Sequence, residues 1–162
     1  MNKSIYSKYI LHFFLFFSIF TLDRISKIYI LNIANNEELN IYINEFLNII
    51  LIWNTGIGFG LLSFSDNFLY NVITFIILLI NFILIYLAVA SNSIKRILYI
   101  VILGGSFGNL FDRFYYSAVP DFIDINFNGY HWFVFNVADI FISIGITCLI
   151  FMEILDYKKL SK

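Results

Sequence analysis

Apolar residues run along this chain in blocks longer than a globular core uses, and polar residues collect between them. Four blocks approach the roughly 20 mostly apolar residues that a helix needs to cross a bilayer. They cover about Tyr9 to Ile30, Phe68 to Ala90, Ile94 to Phe111 and Val137 to Leu155. Lys3 and Lys8 give the first block the look of a secretory signal. It lacks a small-x-small cleavage site, however, and runs into Asp23, Arg24 and Lys27, so it reads as an uncleaved span. The pattern changes between blocks. Asn40 to Asn44 alternates polar and apolar, and LNIILIW at 47–53 is rich in strand formers, which predicts a small sheet in the connection 31–67. In the connection 112–136, Ile123, Ile125 and Phe127 alternate with Asp124, Asn126 and Asn128, and Asn128-Gly129 is the favoured pair for a two-residue type I′ turn. That turn pairs Phe127 with Tyr130 and carries the register back until Asp121 stands opposite Asn136. Asp139 follows one helical turn later, so the hairpin is expected to bring two carboxylates together.

Composition fixes the solvent. Of 162 residues, 60% are hydrophobic and 13% charged, whereas a soluble domain is nearer a quarter charged. The chain is expected to be one integral membrane domain over 1–162, mostly α-helical, with four transmembrane helices and a small outward-facing β-rich element. Its net charge of −1 offers no basic field, so nucleic acid is not an expected partner. The lone Cys148 excludes an intramolecular disulfide and is expected to pack within its apolar run. Lys3 and Lys8, Lys95 and Arg96, and Lys158, Lys159 and Lys162 flank the spans on one side, whereas 31–67 carries Glu37, Glu38, Glu45 and Asp66 without Lys or Arg. By the positive-inside rule both termini are cytoplasmic and both long connections face outward. Arg24, Lys27 and Arg113 lie toward the outward side, each beside an acid, and read as site charges.

An ionisable residue within reach of lipid is a functional candidate by default. Asp23 and Lys27 share a helix face. They are either a self-neutralising pair with Lys27 snorkelling to the interface or a charge pair shaping a site. In NTGIGFG at 54–60 the glycines fit a tight turn, and Asn54 is placed to orient a substrate amide or a carboxylate. GGSFGNLFDR at 104–113 holds a Gly104/Gly108 face for close helix packing, and Asn109 shares a face with Asp112 and Arg113. Asn136 and Asp139 have the spacing of a helix N-cap with an acid in its first turn. Asp124 shares its strand parity with Asn126 and Asn128, which predicts a solvent-facing, dispensable acid. His12 and His131 are too far apart in this topology to share a metal. Ser106 and Ser117 lack a nearby base.

In order along the chain, Asp23-x-x-x-Lys27, NTGIGFG, GGSFGNLFDR, VPDFI (119–123) and FNVAD (135–139) resemble the bacterial lipoprotein signal peptidases, or signal peptidase II. The resemblance runs from about Asp23 to Gly145. It implies an intramembrane aspartyl endopeptidase of the inner membrane, its site facing the periplasmic side. Such an enzyme removes signal peptides from diacylglyceryl-modified prolipoproteins by cutting just before the lipidated cysteine. By position, Asp121 and Asp139 match the catalytic pair, Asp23 and Lys27 the first-span pair, and Asn54, Gly56, Asn109, Asp112, Arg113, Asn136 and Ala138 the surrounding motif. Pro120 stands where the family commonly has valine, and Ser117 where glycine is common. The implied partners are lipid-modified prolipoproteins and membrane lipids, with the chain a monomer and no metal or cofactor.

The chemistry agrees with that resemblance. Two carboxylates about 3 Å apart cannot both ionise and share one proton. A proton or ion transporter is the alternative use of intramembrane acids, but it predicts charges spread through the spans and a repeat. A packing subunit would have no need of Asp121 and Asp139 together.

Overall fold

The computed structural model describes residues 3–35, 39–56, 67–91, 93–127 and 130–160. Helix α1 (Lys3–Ala34) leads into strands β1 (Asn40–Asn44) and β2 (Leu47–Asn54), and helices α2 (Asn67–Ala90) and α3 (Ser93–Tyr116) follow. Strands β3 (Val119–Phe127) and β4 (Tyr130–Phe135) then precede helix α4 (Val137–Leu160). Among the described residues three helices are long and apolar enough to cross a membrane: Phe68–Ala90, Ile94–Tyr116 and Val137–Lys158. The first helix, 32 residues long, carries Asp23, Arg24 and Lys27 within its length.

Helix α3 is the hub, packing against α1, α2 and α4. Its glycines make that possible. A Cβ at Gly104 would sit 2.9 Å from Ile19 of α1, one at Gly108 2.5 Å from Asp23 Oδ2, and one at Gly105 2.5 Å from the Ala138 carbonyl oxygen of α4. The Gly104/Gly108 face therefore meets α1, while Gly105 seats the start of α4. In lipid, where no hydrophobic drive separates helix from solvent, close approach of this kind supplies much of the association energy.

The strands form one antiparallel sheet in the order β1-β2-β3-β4, so both connections contribute to it. Phe127 pairs with Tyr130 as the sequence predicts, although Asn128 and Gly129 lie outside the described residues, as do Ile57–Gly60 of the glycine-rich segment, Glu37, Glu38 and Asp66. The predicted register does not persist. Asn126 pairs with His131 but Ile125 pairs with Phe133, so an extra residue, Trp132, is accommodated as a bulge and the remaining pairs shift by one.

Several expectations need correction. Helix α3 runs on to Tyr116, five residues past Phe111, so Asp112 and Arg113 stand on a helix and not in a loop. Asp124 is wholly buried. Cys148 is exposed. Lys27 is also wholly buried, which removes the snorkelling alternative.

Candidate active site

The site lies where the sheet meets the tops of α1, α3 and α4. Ser117 carries the chain from α3 into β3 with φ of 58°, the left-handed region that favours glycine. The next residues, Ala118 to Phe122, are buried. Pro120 sits near the start of β3, where its missing N–H is tolerated.

Asp121 is 2% exposed and accepts an amide donor at each oxygen. Asn136 Nδ2 donates to Oδ1 at 2.6 Å and Asn54 Nδ2 to Oδ2 at 2.8 Å. Asn54 is the last residue of β2, and its own Oδ1 accepts the Gly56 N–H at 2.8 Å. That Asx turn fixes the side chain that holds Asp121. The Gly56 carbonyl in turn accepts a hydrogen bond from Arg113. Burial, and after it the negative charge of Asp139, hold the Asp121 carboxyl up at about 7, against the lowering effect of the Asn54 and Asn136 donors.

Asp139 enters from the first turn of α4. The Asn136 N–H donates to its Oδ2 at 3.1 Å, and the Asp139 N–H donates back to Asn136 Oδ1 at 3.1 Å. This reciprocal cap satisfies two donors that a helix start leaves unpaired. Asn109 Nδ2 donates to Asp139 Oδ1 at 2.8 Å. Asn136 thus touches both aspartates, Asp121 through its side chain and Asp139 through its backbone. The two carboxylates converge on one asparagine.

Beneath them lies a buried charge centre. Lys27 Nζ donates to Asp23 Oδ2 at 2.9 Å, Asn109 Oδ1 at 2.7 Å and Asp112 Oδ2 at 2.7 Å. Arg24 pairs with Asp112 Oδ1 at 2.5 Å, and Asp23 Oδ1 accepts the Ala138 N–H at 3.0 Å. The Asp23–Lys27 pair is therefore structural glue between α1, α3 and the start of α4. Through Asn109 it reaches Asp139. Asp112 and Arg113, expected to serve one centre, divide: Asp112 turns to α1, while Arg113 turns to Gly56 and lies over the Tyr70 ring of α2, 5.4 Å from its centroid.

Sequence reasoning missed Tyr70, whose hydroxyl donates to the Arg113 carbonyl at 2.9 Å. A tyrosine at the head of an apolar span reads as an interfacial aromatic. It also missed a second polar group around Asp124. Asp124 Oδ2 accepts Asn48 Nδ2 at 3.1 Å and has His131 Nδ1 at 2.7 Å. Seven residues separate Asp124 from His131 in one hairpin, a signal that only the observed bulge makes readable.

The family described as signal peptidase (SPase) II matches residues 15–155. A lipoprotein signal peptidase of Pelagibacter ubique (strain HTCC1062) is 48% identical over 155 residues, covering 95% of this chain and 93% of that protein. One from Anaplasma phagocytophilum (strain HZ) is 36% identical, covering 95% of each. A solved bacterial membrane enzyme superimposes with a TM-score of 0.75 at 28% identity, covering 92% of this chain and 90% of that one. With most of its length matched in sequence and in fold, the chain belongs to the signal peptidase II family of membrane-bound lipoprotein-processing proteases.

Proposed function

We propose that Asp121 and Asp139 form the catalytic pair of an aspartyl endopeptidase. It removes the signal peptide from diacylglyceryl-modified prolipoproteins by cutting just before the lipidated cysteine. The observation that carries this reading is their convergence on Asn136, with amide donors also from Asn54 and Asn109. With Asp121 held up at about 7, one proton stays on the pair near neutrality. The ionised member takes a proton from water as the water oxygen attacks the scissile carbonyl. The protonated member hydrogen-bonds the carbonyl oxygen, and a proton then passes to the leaving amine as the C–N bond breaks. The pair titrates as a unit, so the roles belong to the pair. Arg113 Nη1 is buried with no acceptor among the described residues and is available to a substrate backbone carbonyl. The steps use the chain's own carboxylates and water, so the reaction needs no cofactor.

Four spans with both termini cytoplasmic fit this reading. The α1 side chains left exposed include Tyr9, Phe13, Phe17, Ile25 and Tyr29, while Asp23, Arg24 and Lys27 are buried; that is the pattern of a helix in lipid. Lys95 and Arg96 at the start of α3 then mark the inner side of a bacterial inner membrane, and the sheet and the aspartates face outward. An apolar crevice of about 230 Å³, lined by Phe135, Asp139, Ile140, Ser143 and Ile144, gives a lipid-borne substrate access to Asp139. The site is built from one chain, which fits a monomer acting on lipid-modified prolipoproteins among membrane lipids. The purified protein in detergent is expected to cut a diacylglyceryl-modified precursor and leave the unmodified precursor intact, with mass analysis placing the new N-terminus at the modified cysteine. Equal cleavage of both, or a cut at another bond, overturns the assignment.

A further inference from the structure

Asp121 and Asp124 are three residues apart on β3, so their side chains point to opposite faces of the sheet. Each is the centre of a polar group spanning the same three strands. Asp121 is flanked by Asn54 at the end of β2 and by Asn136 just past β4; Asp124 is flanked by Asn48 of β2 and His131 of β4. Between the two groups both strands that flank β3 carry an irregularity. In β2 the pairing steps from Ile49↔Ile123 to Ile52↔Asp121, which puts one extra residue in β2. In β4 the extra residue is Trp132, between His131 and Asn136. A strand that slips by one residue turns its side chains to the other face. Loss of either bulge would therefore rotate Asn54 or Asn136 away from Asp121.

We infer that Asn48, Asp124 and His131 form a staple that locks the register of β2, β3 and β4 across both bulges, and that they are positioning residues for the pair Asp121–Asp139. Asp124 suits the role because it is wholly buried and its Oδ1 has no hydrogen-bond partner among the described residues. A buried carboxylate left without donors is costly, so the donors from Asn48 and His131 are held firmly, and a slip in either strand removes one of them. A buried polar group that fixes registry at some expense in stability is a recognised use of such groups. On this inference Asp124 is not the dispensable acid that its strand parity suggested.

This inference rests on the catalytic reading of Asp121 and Asp139, and its test separates the two. Asn48→Leu and His131→Phe are each expected to lower kcat about 10- to 100-fold with KM within about twofold, as a displacement near 1 Å does, while helix content stays near that of the parent and detergent melting falls modestly because buried Asp124 loses a donor. His131→Asn, which keeps a donor near the Nδ1 position, is expected to recover most of the rate. A merely structural role would not move the pH profile. Asp121 faces Asp139 of α4, Lys27 of α1 and Arg113 of α3, none of which Asn48→Leu alters. Weaker donation from Asn54 and Asn136 is expected to carry the pH limb governed by Asp121 upward by roughly half a unit. Folded variants with parental kcat, or a reduced kcat with an unmoved limb in Asn48→Leu, overturn the staple. If Asp121→Asn keeps its activity in the same assay, the catalytic reading fails instead.

Discussion

Asp121→Asn and Asp139→Asn are each expected to lower kcat by about a thousandfold or more, and the double variant to be little worse than either single one. An amide can neither take the proton from the attacking water nor hand one to the leaving amine, so either change disables the same step. Residues that act as a unit are strongly non-additive for this reason. The change is nearly isosteric, but it has a structural cost. Asn54 and Asn136 both donate to Asp121, and an amide at 121 must turn its own NH2 toward one of them. That unsatisfied contact costs about 1–3 kcal/mol, so melting in detergent is measured alongside the initial rate. Variants that stay folded and still cleave at more than a tenth of the parental rate contradict the catalytic pair. So does a double variant whose defect is the product of the two singles.

The second large effect falls on stability. Lys27→Met is expected to destabilise the folded protein by about 3–5 kcal/mol, because it leaves uncompensated buried charge. The cluster of Asp23, Arg24, Lys27 and Asp112 is balanced, two acids against two bases, and Lys27 uses all three of its N–H donors within it. Removing the ammonium leaves an excess negative charge and also frees Asn109 Oδ1. Asn109 donates to Asp139, so activity should fall along with the melting temperature. Restoring neutrality tests the cause. Adding Asp112→Asn to Lys27→Met should return about 1–3 kcal/mol as a favourable coupling in a double-mutant cycle. Additive losses would show that the methionine acts through packing and not through charge.

Hydropathy alone located α2 and α4 to within a few residues, because lipid leaves a helix little choice of surface. The strands were legible through alternation, and the Phe127–Tyr130 pairing through the asparagine–glycine step between them. The reciprocal cap of Asn136 and Asp139 followed from spacing, since it is a local interaction within one helical turn. What stayed hidden depended on partners distant in sequence. Lys27 reads as a residue reaching for water unless Asn109 and Asp112, more than 80 residues away, are known to meet it. Asp124 reads as solvent-facing from its parity with Asn126 and Asn128, yet Asn126 is itself buried, so polarity did not report exposure on this sheet. The bulge at Trp132 has no signature in the alternation of β4, and without it the contact between Asp124 and His131 is not foreseeable. Arg113 had Asp112 as its sequence neighbour and found the Gly56 carbonyl instead, because adjacent helical positions face different partners.

The central claim is that Asp121 and Asp139 hold one proton between them near neutral pH. Infrared difference spectroscopy of the purified protein titrated from about pH 5 to pH 9 tests it directly, with carboxyl labelling of aspartate to isolate the band. A protonated carboxyl stretch should persist well above the ordinary aspartate range and fade around pH 7, where burial and the charge of Asp139 hold Asp121. The step around pH 7 should move to lower pH in both Asp121→Asn and Asp139→Asn, because in each the opposing charge is gone. A band that is unchanged in both variants, or a parent with no protonated carboxyl above pH 5, would contradict the shared proton.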